Sequence, residues 1–480
     1  MDNLQNIIGF IPAVLYWLLT AAVTIRVVIY RRPVSGTLAW LLVIYILPLV
    51  GASLYLLLGE LNLGRKRAAR AQSMIEPYLD NLNSRFDVDS IPMPGGHLAL
   101  AVHQLLASRM GLGTLGYSRM QVLKSPETIF NQIIEDIRQA RESIRVETYI
   151  WHPGGRADDV ANELIAASQR GIKVSVLIDH AGSRRFFRSK WRKAMVDAGI
   201  EVVPALPVKL LRALAQRIDL RMHRKLLIID DRIALTGSMN MADPLVFKRK
   251  SKSGPWIDVM LRLDGQAASG LAKVFAWDWE VETGQRNLPD YYPAPDQCNQ
   301  WLSIIPSGPG VGEDLIGQAV LSSIYRANHR IVISTPYFVP SEAIFEALCQ
   351  AARRGLEVTL LLPKHNDSVM VGWASRSYFE LLLEAGVTIQ QFEGGLLHTK
   401  AMLMDDELAL VGSLNLDIRS LQLNFELTVA LFGHDSCTGI KALLESYLNS
   451  CTPVDLEQWQ QRGRPARMME RMMFFMSPLL

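Results

Sequence analysis

Hydrophobic positions follow two regimes along the chain. At the amino end they run almost unbroken: residues 3–25 carry no formal charge, and after Arg26, Arg31 and Arg32 a second uncharged run extends from Pro33 to Gly59. A helix needs roughly 20 residues to cross a bilayer. Both runs are long enough, and both carry interfacial aromatics, Trp17 and Tyr30 in the first stretch and Trp40 and Tyr55 in the second. They predict a two-helix transmembrane hairpin over residues 1–62. The first run lacks the basic leading segment of a cleaved signal peptide. At the exit, Arg65, Lys66, Arg67 and Arg70 outnumber the three arginines of the loop, so the positive-inside rule places the rest of the chain in the cytoplasm.

Beyond a polar, helix-prone connector at 63–110, short apolar runs alternate with helical periodicity, and the alternation occurs twice. "SIRVETYIWHPGG" reads as a strand, "DDVANELIAASQRGIKVSVLID" as a helix stopped at Gly171 and a second strand, and "AGIEVVPA" as a third. "HRIVISTPYFVP", "SEAIFEALCQAARRGLEVTLLLP" and "AGVTIQQF" repeat that order, with Gly355 as the helix stop. The expected fold class is α/β: two pseudo-twofold-related halves, 111–290 and 291–480, each a mixed β-sheet flanked by helices.

The repeat extends to chemistry. "MHRKLLIIDDRIALTGSMN" is echoed by "LLHTKAMLMDDELALVGSLNLD", a displacement of 175 residues that carries His223 to His398. The same displacement carries Lys225 to Lys400, Asp230 to Asp405, Ser238 to Ser413 and Asn240 to Asn415. A lone histidine before a strand is usually a satisfied structural residue. A fold needs apolar periodicity at these sites, not several different polar groups kept in register twice, and so the pair is read as functional.

Bulk composition narrows the class. A net charge of +3 does not announce a nucleic-acid binder. Cys298, Cys349, Cys437 and Cys451 form neither a disulfide framework nor a zinc comb. The nine histidines include no H-E-x-x-H, and no phosphate-binding glycine loop is present, so no metal and no cofactor is expected.

H-x-K-x-x-x-x-D followed by G-S-x-N, present twice, resembles the paired HKD signature of the phospholipase D superfamily. Within it the chain resembles the bacterial type A cardiolipin synthases along essentially its whole length, through "GSMNMAD", "STPYFVPS", "NDSVMVGWASRS" and "FEGGLLHTKAMLMDDELALVGSLNLDIRS". The resemblance implies a multi-pass enzyme of the bacterial inner membrane. It implies transfer of a phosphatidyl group from one phosphatidylglycerol to another, giving cardiolipin and glycerol through a phosphatidyl-histidine. The other readings are a phospholipase D hydrolase, another headgroup transferase, a nuclease, or a non-catalytic lipid-binding scaffold. Two expected bilayer spans argue against nucleic acid as partner; the oligomeric state is open, a homo-oligomer included.

Phosphodiester exchange without a metal needs a nucleophile, a proton donor for the leaving alkoxide, and cations on the non-bridging oxygens. His223 and His398 fit the first two roles, with His223 nominated to attack and His398 as acid and then base. Lys225 and Lys400 fit the third, while Asp230 and Asp405, counted with the catalytic signature, are expected to support the motif turn or the lysines. Ser238, Asn240, Ser413 and Asn415 are expected to bind phosphate oxygens. Each imidazole also needs a partner to fix its tautomer, and the acids in two downstream apolar strands, Asp258 in "PWIDVMLRL" and Glu426 in "NFELTVALF", are the nominated orienting carboxylates, the alternative being strand-edge acids on the solvent side. Basic segments at 183–193 and 207–225 suit an anionic lipid surface; the Met-rich basic tail at 462–480 reads either as an interfacial helix on such a surface or as a core-packing helix.

Overall fold

The computed structural model describes residues 2–30, 34–60, 62–74, 96–110, 113–208, 217–248, 251, 253–289, 300–310 and 314–476. Parts of the predicted connector (75–95), of the basic segment (209–216) and of the tail (477–480), together with Cys298, lie outside them. The chain forms two compact units, one of Met1–Lys66 with Val208–Leu220 and one holding Arg67–Pro207 and Arg221–Pro478.

In the first unit, helix Asp2–Ile29 is followed by Val34–Ile46, Pro48–Leu54 and a π-helical turn Tyr55–Gly59. Proline has no N–H and its ring crowds the preceding turn, which is why the second uncharged run breaks at Leu47–Pro48. Val23, Val27, Ile44, Ala52 and Tyr55 pack together, and Arg26 grips Glu60 through two hydrogen bonds of 2.5 and 2.8 Å. Trp17, Leu18, Val28, Leu42, Ile46 and Leu49 instead stand about 60% exposed. Among the described residues no helix is both long and apolar enough to cross a membrane.

The second unit is built on two mixed sheets with the same strand order. The seven-stranded sheet runs Arg119–Leu123, Met260–Asp264, Ile233–Gly237, Leu226–Ile229, Ser143–Thr148, Lys173–Asp179, Glu201–Ala205. The nine-stranded sheet repeats it with Gln300–Ser307, Glu426–Phe432, Leu408–Gly412, Ala401–Met404, Arg330–Ser334, Glu357–Pro363 and Thr388–Phe392, and adds Leu115–Tyr117 and Cys451–Pro453 at its edges. In each, the three strands joined through helices are parallel and the rest antiparallel. Gly171 and Gly355 follow the helix C-caps at φ +89° and +94°, the left-handed conformation that glycine adopts without steric cost.

Two segments depart from the sequence reading. Leu115–Tyr117 pairs with Gln300–Leu302 of the second sheet, so the chain crosses between sheets at Ser118. The connector also contains helix His97–Met110, whose Leu98, Val102 and Leu106 are buried in the second core. Its apolar face is too wide for a solvated linker, and burial supplies about 25 cal/mol per Å² of apolar area.

Candidate active site

Each HKD copy is a hairpin, Leu226–Ile229 against Ile233–Gly237 and Ala401–Met404 against Leu408–Gly412. At the turns, Asp230, Asp231, Asp405 and Asp406 take φ between 50° and 58°, which aspartate tolerates better than most residues. The Asp230 carboxylate accepts the N–H groups of Arg141, Glu142 and Ser143 at 2.7 to 2.9 Å. Asp405 does the same with Asn328, His329 and Arg330, each at 2.8 Å. These bonds fasten each hairpin turn to the start of the neighbouring strand. Extended chain rising about 3.3 Å per residue puts each aspartate roughly 20 Å from its motif histidine. Of the two roles expected for them, Asp230 and Asp405 take that of supporting the motif turn and stand apart from the histidines they are grouped with in the signature.

At the open end of the hairpins the halves interlock. His223 N–H donates to the Phe425 carbonyl at 2.9 Å, and His398 N–H to the Ile257 carbonyl at 2.8 Å. Leu396–Leu397 pairs in parallel with Trp256–Ile257, and Met222 bridges to Phe425. Each motif thus leans on the segment of the other half that carries an acid. His223 Nδ1 lies 2.8 Å from Glu426 Oε2, and His398 Nδ1 lies 2.6 Å from Asp258 Oδ1. Both nominated carboxylates meet imidazoles, but in crossed pairs: each serves the histidine of the opposite half.

The serines are placed differently from the expectation. Ser238 Oγ donates to Asp258 Oδ1 at 2.6 Å and accepts from Val259 N–H at 3.0 Å. Ser413 Oγ donates to Glu426 Oε2 at 2.5 Å and accepts from Leu427 N–H at 3.0 Å. A hydroxyl has one proton, and here the carboxylate holds it, so Ser238 and Ser413 brace the acids and have no proton left for phosphate. A Cβ at Gly237 or Gly412 would collide with the Val259 or Leu427 carbonyl, which accounts for the glycine before each serine. Asn240 Oδ1 accepts from Ile150 N–H at 3.2 Å, and Asn415 Nδ2 donates to Ser420 Oγ at 3.2 Å. Both amides are buried beside the motifs.

Lys225 Nζ donates to the His223 carbonyl at 2.5 Å and Lys400 Nζ to the His398 carbonyl at 2.6 Å. Burial pushes the two ammonium groups down, to about 8 and about 7, against the pull of Glu426 and Asp258. Burial likewise pushes both imidazoles down to about 4, with the paired acids pulling the other way. Burial opposes charge on the acids too, yet His398, Lys400 and Ser238 outweigh it and hold Asp258 at about 2, and His223, Lys225 and Ser413 hold Glu426 below the usual carboxylate range. The unliganded site thus holds neutral imidazoles beside ionised acids, each Nδ1 carrying the shared proton and each Nε2 a lone pair.

Sequence reasoning missed the walls of the site. The Tyr149 ring lies 5.0 Å from that of His223, and the Trp256 ring 4.1 Å from that of His398. For Trp256 the available signal was its place two residues before Asp258, since alternate residues of an extended chain share a face. Among the described residues no group of three or more His, Cys, Asp or Glu is arranged to hold a metal ion.

Comparison with known proteins matches the chain to a family. The family described as cardiolipin synthase, PLD-like domain, matches residues 133–279 and 320–448, and a phospholipase D–nuclease N-terminal family matches 15–60. Cardiolipin synthase A of Klebsiella pneumoniae is 44% identical over 491 aligned residues, covering all of both chains. That of Cronobacter sakazakii is 45% identical over 486, again covering both. The crystal structure of a phosphatidylserine synthase from Haemophilus influenzae covers 79% of this chain and all of its own at a TM-score of 0.59 and 16% identity, a likeness of fold. The chain belongs to the cardiolipin synthase family of phospholipase D-like proteins.

Proposed function

We propose that this phosphatidyltransferase joins two phosphatidylglycerol molecules, releasing glycerol and forming cardiolipin, at one site to which both halves contribute. The observation that carries the reading is the crossed pairing of His223 with Glu426 and His398 with Asp258, in which each imidazole depends on an acid of the opposite half. Full-length likeness to the cardiolipin synthases supports the substrate class.

A phosphodiester arrives as an anion and raises the proton affinity of both imidazoles, so one takes up a proton that the unliganded site does not hold. His223 Nε2 attacks phosphorus while the P–O bond to the glycerol headgroup breaks, and protonated His398 gives its proton to the departing glycerol oxygen. A hydroxyl of the second phosphatidylglycerol then gives its proton back to His398 and attacks phosphorus as the P–N bond breaks. Lys225, Lys400, Asn240 and Asn415 offset charge on the non-bridging oxygens. Glu426 and Asp258 keep the Nε2 lone pairs available and stabilise each imidazolium as it forms.

The first unit spans the bacterial inner membrane as a hairpin. Its exposed Trp17, Leu18, Leu42 and Ile46 suit acyl chains, and at about 1.5 Å per residue the successive helical segments between Val34 and Gly59 reach a crossing length only when taken together across the break at Leu47–Pro48. The basic exit places the catalytic unit in the cytoplasm.

The purified full chain in phosphatidylglycerol micelles should release glycerol and form cardiolipin in equal amounts. Phosphatidic acid as the main lipid product would overturn transfer in favour of hydrolysis.

A further inference from the structure

The described part of the catalytic unit exposes eleven large apolar side chains, and eight fall in three short segments: Leu245 and Val246, Val369 and Met370, and Met468, Met469, Met472 and Phe474. Leu245 and Val369 are each 74% exposed. Isolated surface hydrophobics are ordinary, whereas clustered ones mark a contact surface.

The first two segments come from opposite halves and meet at the site. Lys248 Nζ in the first loop forms an ion pair with Asp367 Oδ2 in the second at 2.6 Å, and Tyr337 donates to the other Asp367 oxygen at 2.8 Å. Lys248 also lies 5.4 Å over the Trp256 ring, which packs on His398. The two loops that carry the apolar pairs are therefore joined to each other through Lys248 and Asp367, and to His398 through Lys248 and Trp256.

The third segment continues the surface. Helix Arg464–Met476 packs against helix Val369–Arg376, and the Phe474 ring lies 5.3 Å from that of Tyr378. Met473 turns into the core while Met468, Met469 and Met472 face out. Arg467 on this helix is half-buried and pairs with Glu380 at 3.4 Å. Glu470 is buried in a two-bond ion pair with Arg462, while Arg464 and Arg471 are exposed. An apolar face rimmed by cations complements an anionic lipid leaflet.

We propose that the lip formed by Leu245, Val246, Val369 and Met370, continued by the Met and Arg face of the carboxyl-terminal helix, docks the catalytic unit on an anionic bilayer. The mouth of the cleft is seated on the leaflet, and the lipid reaches the histidines without crossing water. The proposal rests on the phosphatidyl-transfer reading for its substrate.

The test uses the full chain and two double variants, Leu245→Asp with Val369→Asp, and Met468→Asp with Met472→Asp. On phosphatidylglycerol vesicles their turnover should fall about tenfold or more, since an acid is costly to immerse beside anionic headgroups. On monomeric short-chain phosphatidylglycerol it should stay within about twofold of wild type. Equal losses on both substrates, or none on vesicles, would overturn the proposal. Hydrogen exchange gives a readout independent of turnover: residues 243–248 and 464–476 of the wild type should be more protected in phosphatidylglycerol than in phosphatidylcholine vesicles. Equal protection in both that grows with protein concentration would mean that a second copy covers this face, and would also overturn it. A wild type that makes no cardiolipin yet shows lipid-dependent protection would sink the transfer reading and leave the docking surface standing.

Discussion

Beneath His223 and Lys225 lies a buried cluster of ionisable groups; beneath His398 and Lys400 the positions matching Arg224 and Glu147 are a threonine and a serine. Arg224 donates to the backbone carbonyls of Glu426 and Ser307, each at 3.0 Å, and to the carboxylate of Asp278. Glu147 is buried beside them. The 175-residue displacement puts Thr399 where Arg224 stands, and strand register puts Ser334 where Glu147 stands, since Glu147 pairs with Leu226 and Ser334 with Ala401. Thr399 donates to the Ile257 carbonyl at 3.2 Å and shares a hydrogen bond with Tyr447 at 2.8 Å. The groups proposed to face phosphorus are matched, whereas the groups behind them are not. Chemistry on one phosphate constrains the first set in both copies, while a backbone carbonyl can be satisfied equally by a guanidinium or a hydroxyl.

The largest expected effect tests the matched part. His223→Ala or His398→Ala should each lower turnover by about four decades or more, and the double variant should be no slower than the slower single, because the pair acts as a unit. Additive losses would mean two separate sites. Next come the crossed acids: Asp258→Asn should erase the low-field NMR proton of His398 Nδ1 and leave that of His223, with turnover falling by about two to four decades. Loss of the His223 signal instead would contradict the pairing.

The unmatched part separates in stability. Arg224→Ala leaves Asp278 buried without its cation and should cost about 3–5 kcal/mol, against about 1 kcal/mol for Thr399→Val, both read by denaturant unfolding. Similar costs would remove the distinction between the halves. The smallest effects concern pH. Both imidazoles are held below their unfolded value of 6.5, at about 4, so their contribution to stability is present above about 6.5 and is lost as pH falls toward 4. Glu147 goes the other way: burial and Asp278 hold its carboxyl well above the usual range, against Arg224 and Lys225. Its contribution is full below the unfolded value of 4.5 and is lost as pH rises through the folded one. Glu147→Gln, which mimics the protonated acid, should therefore gain stability over wild type at pH 8 relative to pH 5; an unchanged difference would mean the carboxyl is ionised.

The motif pairs, both orienting acids and both helix-stop glycines were legible because each rests on residue type at a local spacing. The crossing of the acids was not. His223 and Glu426 are 203 residues apart and His398 and Asp258 are 140, and only the packed halves bring them together. Ser238 and Ser413 were read as phosphate donors because a hydroxyl is a fair donor in any motif; the acid that takes each proton sits on the neighbouring strand, 20 and 13 residues away. Asp230 and Asp405 were legible as supports of the motif turn, although they belong to the same signature as the histidines. Their spacing within the motif is rigid, but it is the rigidity of a turn.

One shared site is tested most directly by counting adducts. Mass spectrometry of the wild-type chain quenched during turnover should find one phosphatidyl group per chain, on His223, and Glu426→Gln should suppress it. Two adducts per chain, one on each histidine, would contradict a single phosphorus addressed from both halves.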